Sequence, residues 1–168
     1  ETTQELRAQV HTLDGQLFDA VFNSCDVDRL RPLVAEDFEF YHDKNGLSAT
    51  SGTQFVENVG GMCARQKTGE DYRARRVLDM ATSEVFAMNN HGAIHTGVHR
   101  CYMLAAGAPE KLVEISRFSN LWHQDDKGRG AGAPLRALVG AGLSREPLAP
   151  NAARLAGIPP TRTAIEAA

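Results

Sequence analysis

His42 is the side chain best placed to do chemistry. It follows the run Ala35-Glu36-Asp37-Phe38-Glu39-Phe40-Tyr41, in which apolar and polar residues alternate, and precedes Asp43. On a strand that alternation puts Phe38, Phe40 and His42 on one face and Glu39, Tyr41 and Asp43 on the other. An imidazole among aromatic rings must find a hydrogen-bond partner. Beside a polar group it is a candidate for proton transfer to or from carbon. The alternative role is a hydrogen-bonded structural histidine. Asp43 points to the opposite face and orients His42 only if a bulge intervenes.

His91, His95 and His99, spaced by four, suggest a metal cluster. On a strand His95 and His99 share a face but stand roughly 13 Å apart. One ion with Zn–N bonds of about 2.0–2.1 Å does not bridge that span. Helical spacing would suit a metal, but Gly92, Gly97 and the β-branched neighbours argue against a helix, so no metal site is expected. His99 alone faces the interior, opposite His42. On a later strand Ser116, Phe118, Asn120 and Trp122 share a face. Assigned inward, Asn120 is a polar group among aromatics, suited to orienting a ligand. Arg100 and Arg117 then face outward, to pair across strands with Glu39 or Asp43. The opposite parity would put Arg117 in the pocket in place of Asn120.

Helices come first in the elements that position these groups. Leu6, Val10, Leu13, Leu17, Phe18, Val21 and Phe22 form one apolar stripe on a helix over about 3–24. Asp26 or Asp28 caps a short second helix with Pro32 in its first turn, and Ser51 or Thr53 caps a third through Phe55, Val59 and Met62. Between them the strand ending at His42 meets the turn Lys44-Asn45-Gly46, and 47–50 forms a brief return strand. Then come strands at 72–80 and 83–88, a hairpin turn at Asn89-Asn90-His91-Gly92, and strands at 93–104 and 112–123. Helices followed by a continuous antiparallel meander indicate an α+β domain with the helices on one sheet face.

With 168 residues, 42% apolar, 23% charged and a net charge of -3, the chain suits one globular domain. No basic run interleaved with aromatics invites nucleic acid, and no apolar stretch approaches a membrane span. No nucleophile elbow, phosphate loop or dinucleotide fingerprint points to a cofactor. Cys25, Cys63 and Cys101 are odd in number and widely spaced. We expect no disulfide framework and no thiolate metal site, but three small, half-buried apolar residues. Glu1 at the first position fits an exported chain that has lost its signal peptide as well as a boundary set by expression, leaving a cytoplasmic location equally open.

The order of segments resembles the nuclear transport factor 2-like superfamily, in its bacterial SnoaL-like branch. The residues that carry the resemblance are Leu17-Phe18-Asp19-Ala20 with Asp26-Val27-Asp28-Arg29-Leu30, then 35–43, Gly97-Val98-His99-Arg100, and Arg117-Phe118-Ser119-Asn120-Leu121-Trp122. The resemblance covers about 5–125. It implies a cone: a curved, mainly antiparallel sheet wrapped by three helices, a cavity inside, and homodimers through the sheet's outer face. It also implies that His42 occupies the general-base position of the isomerases and dehydratases of this fold. A domain over 1–127 is therefore expected, followed by a tail over 128–168. In that tail Ala, Gly and Pro make up about half the residues and no aromatic occurs. Such a composition predicts mostly irregular chain, with one weak helical turn at 135–139. The sheet's last strand is missing from this reading, as it would be if the reading frame slipped near codon 129.

The leading expectation is a small-molecule-binding domain whose pocket holds Phe38, Phe40, His42, His99, Asn120 and Trp122, for a small apolar or carbonyl-containing ligand. The first alternative is an acid–base isomerase, cyclase or dehydratase acting on a small carbonyl compound. There His42 is the base, and His99 or Asn120 polarises the oxygen. The second alternative is a dimerisation module with a filled cavity.

Overall fold

The computed structural model describes residues 1–124 and 135–145. Helix α1 spans Gln4–Phe18 and runs on into a π-helical turn, Asp19–Asn23. Helix α2, Val27–Leu30, leads through a 3-10 turn, Arg31–Leu33, into strand β1, Val34–His42. Strand β2 is Gly46–Ala49 and helix α3 is Gly52–Thr68. The long strands are β3, Arg73–Ala87; β4, Gly92–Leu104; β5, Lys111–Gln124; and β6, Leu135–Arg145.

Local chemistry sets the helix ends. The Asp26 carboxylate accepts from the N–H groups of Asp28 and Arg29, the Ser51 hydroxyl accepts from Gln54 N–H, and α3 stops at Gly69 in the left-handed region. Pro32 lies in the 3-10 turn after α2 rather than in that helix's first turn. The predicted strands at 72–80 and 83–88 are one strand, β3, whose pairing with β4 shifts between Asp79 and Glu84. The hairpin turn at 89–92 is present, with positive φ at Asn89 and Gly92. At Gly92 a Cβ would lie 1.9 Å from the Trp122 carbonyl oxygen, so only glycine fits.

The six strands form one curved sheet in the order β2-β1-β6-β5-β4-β3, with the helices on its inner face. Strands β1 and β6 run parallel, and every other neighbouring pair is antiparallel. This is the expected α+β cone. The core gathers Val10, Leu17, Val21 and Phe22 of the first helical segment, Val59 and Met62 of α3, and Phe38 and Trp122 from the sheet.

Two expectations are corrected. The expected helical turn at 135–139 and the missing last strand give way to β6, which sits centrally between β1 and β5. Pairing on both edges supplies β6 with the stabilisation that its Ala/Gly-rich sequence lacks in side-chain propensity. The rest of the expected tail, 128–134 and 146–168, lies outside the described residues. Cys25 and Cys63, expected as unpaired apolar residues, form a disulfide across a sequence separation of 38, tying the end of the π turn to α3. Cys101 remains a free, buried thiol. Spacing along the chain cannot show that packing brings the π turn and α3 side by side.

The outward parity of Arg100 holds, but its partner is Asp79 of β3 at 2.9 Å, not Glu39 or Asp43. Strand β4 adjoins β3 and β5, with β5 and β6 standing between it and β1, so neither carboxylate of the β1 segment is a cross-strand neighbour. Arg117 is exposed on the outer face. Among the described residues no helix is long and apolar enough to cross a membrane.

Candidate functional site

Between the sheet and the helices lies a cavity with about 70 Å³ open to the centre of a water-sized sphere. Leu17, Phe18, Val21 and Phe22 close it from the helical side, and Phe55 reaches in from α3. Leu17 and Phe18 end α1, and Val21 and Phe22 lie in the π-helical turn that continues it. The sheet contributes Phe38, Phe40 and His42 from β1, His99 and Cys101 from β4, and Glu114, Ser116, Phe118 and Asn120 from β5. Its remaining wall is Ala137, Gly140, Ala141 and Gly142 of β6. Small residues there leave room for rings: a Cβ at Gly140 would lie 3.2 Å from Phe40 and 3.4 Å from Phe38. The composition that reads as a tail therefore helps to make the hollow.

Five of the six expected pocket residues, Phe38, Phe40, His42, His99 and Asn120, line this one cavity. Trp122 does not. It shares their parity but pairs with Ala93 on one side and Ala137 on the other, and its indole fills the core over those small residues.

His42 is 3% exposed, with its ring 6.2 Å from that of Phe40. Its Nε2 is buried and has no hydrogen-bond partner among the described residues. Nδ1 lies 3.2 Å from Asp43 Oδ1 and 3.3 Å from the backbone N of Lys44. Asp43 reaches the ring because it follows the last residue of β1, where the strict opposition of neighbours ends; β1 has also shifted register against β2 after Phe40. The two contacts define alternative tautomers. If Nδ1 donates to Asp43, Nε2 carries a lone pair; if it accepts from Lys44, Nε2 carries the hydrogen.

His99 is held differently. Arg76 donates its Nε–H to His99 Nδ1 at 3.1 Å, and its terminal nitrogens donate to both oxygens of Asp14. Arg76 and Asp14 are both buried, and the guanidinium also lies 3.8 Å over the Phe18 ring. Phe118 stacks on the His99 ring at 5.4 Å. Arginine cannot accept a hydrogen bond, so Nδ1 is the acceptor and Nε2 carries the hydrogen. Burial, with the neighbouring guanidinium, pushes His99 down to about 3, keeping the ring neutral at ordinary pH.

His95, on the same face of β4, lies behind the cavity rather than on it. Its Nε2 is 2.9 Å from Ser83 Oγ, which is 3.0 Å from His11 Nε2, while its Nδ1 lies 3.6 Å from Asp14. Burial pushes His95 down to about 4. His91 is exposed in the turn between β3 and β4.

Glu114 is a site residue that sequence reasoning missed. It stands two residues before Ser116 on the same face of β5, so the parity that turned Ser116 and Asn120 inward applied to it as well. The Ser116 hydroxyl donates to Oε1 at 2.5 Å, whereas Oε2 is buried without a partner among the described residues. Glu114 pairs across strands with Cys101, whose thiol burial pushes up to about 12.

A ring nitrogen of His99, the sulfur of Cys101 and a carboxylate oxygen of Glu114 all lie within 4.8 Å of one another. These donor types suit a transition metal. The bond from Arg76 opposes one: it occupies Nδ1, forces the hydrogen onto Nε2, and sets a cation beside the site.

No protein-family model matches the chain, and no curated protein sequence does. Solved structures do. Aln2 from a Streptomyces species superposes with a TM-score of 0.67 at 11% identity, over 84% of this chain and 92% of that one. A nuclear transport factor 2-like superfamily protein from Salmonella enterica serovar Typhimurium gives 0.63 at 13% identity, over 88% and 96%. A Catenulispora acidiphila protein, solved in complex with S-DNPA, gives 0.65 at 8% identity, over 83% and 93%. At such identities the likeness establishes the fold, which is the nuclear transport factor 2-like one.

Proposed function

We propose that this chain, built on the nuclear transport factor 2-like fold, binds a compact, largely apolar molecule bearing an oxygen function. One observation carries the reading. His42 Nε2, Asn120 Nδ2 and Glu114 Oε2 are buried polar atoms without partners among the described residues, and all three residues line the same aromatic cavity. Buried polar atoms are rarely left unpaired, and a few convergent ones in an apolar hollow are the usual makings of a ligand site. The open volume favours this reading over a dimerisation module with a filled interior. The neighbour solved with S-DNPA is an example of the fold holding a small molecule.

Acid–base turnover of a small carbonyl compound is a second reading, favoured by the 3.2 Å approach of Asp43 to His42 Nδ1. With Asp43 accepting that hydrogen, the Nε2 lone pair is a base on the cavity wall. The fixed N–H of His99, or the Asn120 amide, polarises the carbonyl.

Calorimetric titration with compact aromatic and alicyclic ketones tests binding, and His42→Ala separates the two readings. Under turnover, the variant still binds and melts as the parent does but no longer exchanges the ketone's α-hydrogens in deuterated water. A lowered melting temperature with binding intact assigns the ring to structure. If no ketone binds and the purified protein carries no ligand, the proposal fails.

A homodimer through the outer sheet face is part of the same reading. Phe86, Ile94, Leu121 and Val139 stand in register as one apolar row across four strands, with Phe86 and Ile94 exposed. The Cys25–Cys63 disulfide supports an oxidising, exported setting for the chain.

A further inference from the structure

We propose that the Cys25–Cys63 disulfide is a latch on the cavity's roof, and that its reduction opens the cavity while the sheet stays folded. The proposal goes beyond the binding reading and stands without any ligand being known. Leu17, Phe18, Val21 and Phe22, which close the hollow from the helical side, run from the end of α1 into the π turn. Cys25 follows that turn, separated from it by Ser24, and its bond to Cys63 ties the turn's exit to α3.

Cys25 has a φ of 51°, in the left-handed region where a residue carrying a Cβ is strained. An unlinked cysteine gains by leaving that conformation, and the bond to α3 holds it there. Among the described residues, the polar side chains that tie the π turn to the rest of the chain do so at the surface. Arg29 meets Asp19 at 3.1 Å with both side chains exposed, and Arg73 donates to the Asn23 carbonyl at 3.1 Å in an exposed bond. Such contacts add little. Val21 and Phe22 are buried, but they border open space and so forfeit part of the contact that a filled core gives. Cys25 is also the more reachable sulfur, half-buried where Cys63 is 5% exposed. A thiolate of a small dithiol attacks Cys25 Sγ, and Cys63 leaves as a thiolate that takes up a proton. The dithiol's second sulfur then displaces Cys25, which is protonated in turn. Two electrons and two protons pass to the chain, and the reductant departs as a cyclic disulfide.

Cys101 is a built-in reporter, a free thiol buried in the wall of the same cavity. Its alkylation by iodoacetamide at neutral pH is followed by mass spectrometry on the whole chain with the disulfide intact, after reduction, and in Cys25→Ala with Cys63→Ala. Loss of the bond also favours the unfolded chain, so each rate is measured through low concentrations of urea. Without the bond, Cys101 is expected to react at least about tenfold faster, at a rate that hardly changes with urea below the unfolding transition. Cys25→Gly with Cys63→Ala should react several-fold more slowly than the alanine pair, because glycine keeps the left-handed conformation without strain. An unchanged rate overturns the latch. So does a rate that climbs with urea as steeply as global unfolding, which makes the bond a staple of the whole fold. Equal rates for the glycine and alanine pairs refute it as well. Should the alanine pair fail to fold, the reduced parent and the glycine pair decide: both must react faster than the oxidised parent, independently of urea.

Discussion

Arg76 Nε lies 3.1 Å from His99 Nδ1, and this bond decides what the cavity offers a ligand at that point. Nitrogen-15 spectra of the imidazole are expected to show a neutral ring with its hydrogen on Nε2 across the whole range in which the protein is folded. A spectrum with the hydrogen on Nδ1 would sink the assignment.

The Asp14–Arg76 pair that holds this bond is buried on both sides. Removing one partner strands a charge, so Asp14→Ala should cost about 3–5 kcal/mol in urea unfolding. Replacing both, as in Asp14→Leu with Arg76→Met, should cost clearly less than the single change. Equal losses would mean that packing, not charge, dominates there.

Acid should weaken the fold through two histidines. Burial pushes His99 down to about 3 and His95 down to about 4, whereas in the unfolded chain both titrate near 6.5. Between those values the unfolded state binds more protons. Their contribution is therefore complete above about pH 6.5 and is lost as pH falls, by up to about 1.4 kcal/mol per unit for each ring. Urea midpoints measured from pH 7 down to about 4.5 check this, and a flat profile contradicts it.

Gly142 offers a way to close the cavity without touching its polar groups. It lines the hollow, and a Cβ built on it meets nothing within 4 Å. Gly142→Leu should abolish binding of a ring-sized ligand while leaving the melting temperature unchanged or raised. Undiminished binding would place the ligand elsewhere.

The Cys25–Cys63 bond closes a loop with a sequence separation of 38. Its reduction should lower stability by about 4 kcal/mol on the chain-entropy account. Before reduction the folded chain should show no thiol reactive toward a neutral-pH alkylating agent, because Cys101 is buried and its thiolate disfavoured. A rapidly alkylated thiol would refute the pairing.

Dimerisation can be tested at the row Phe86, Ile94, Leu121 and Val139. Sedimentation should give twice the chain mass, and Ile94→Glu should halve it without unfolding the protein. A parent that sediments as a monomer rules the interface out.

Alternation along a strand is a local property, and the chain declares it openly. The shared face of Phe38, Phe40 and His42, and that of Ser116, Phe118 and Asn120, follow from backbone geometry alone. The caps at Asp26 and Ser51 and the turn at 89–92 are equally local. Which faces meet is not. That Glu114 stands beside Cys101, that Arg76 reaches His99 and Asp14, and that Cys25 finds Cys63 all depend on strand order and helix placement, over separations no local pattern records. Strand β6 shows the limit most plainly. Its alanines and glycines carry little propensity of their own, and only pairing between β1 and β5 makes them a strand. Their small size has no meaning as a pattern. It becomes the open wall of a cavity once Phe38 and Phe40 lie across from them.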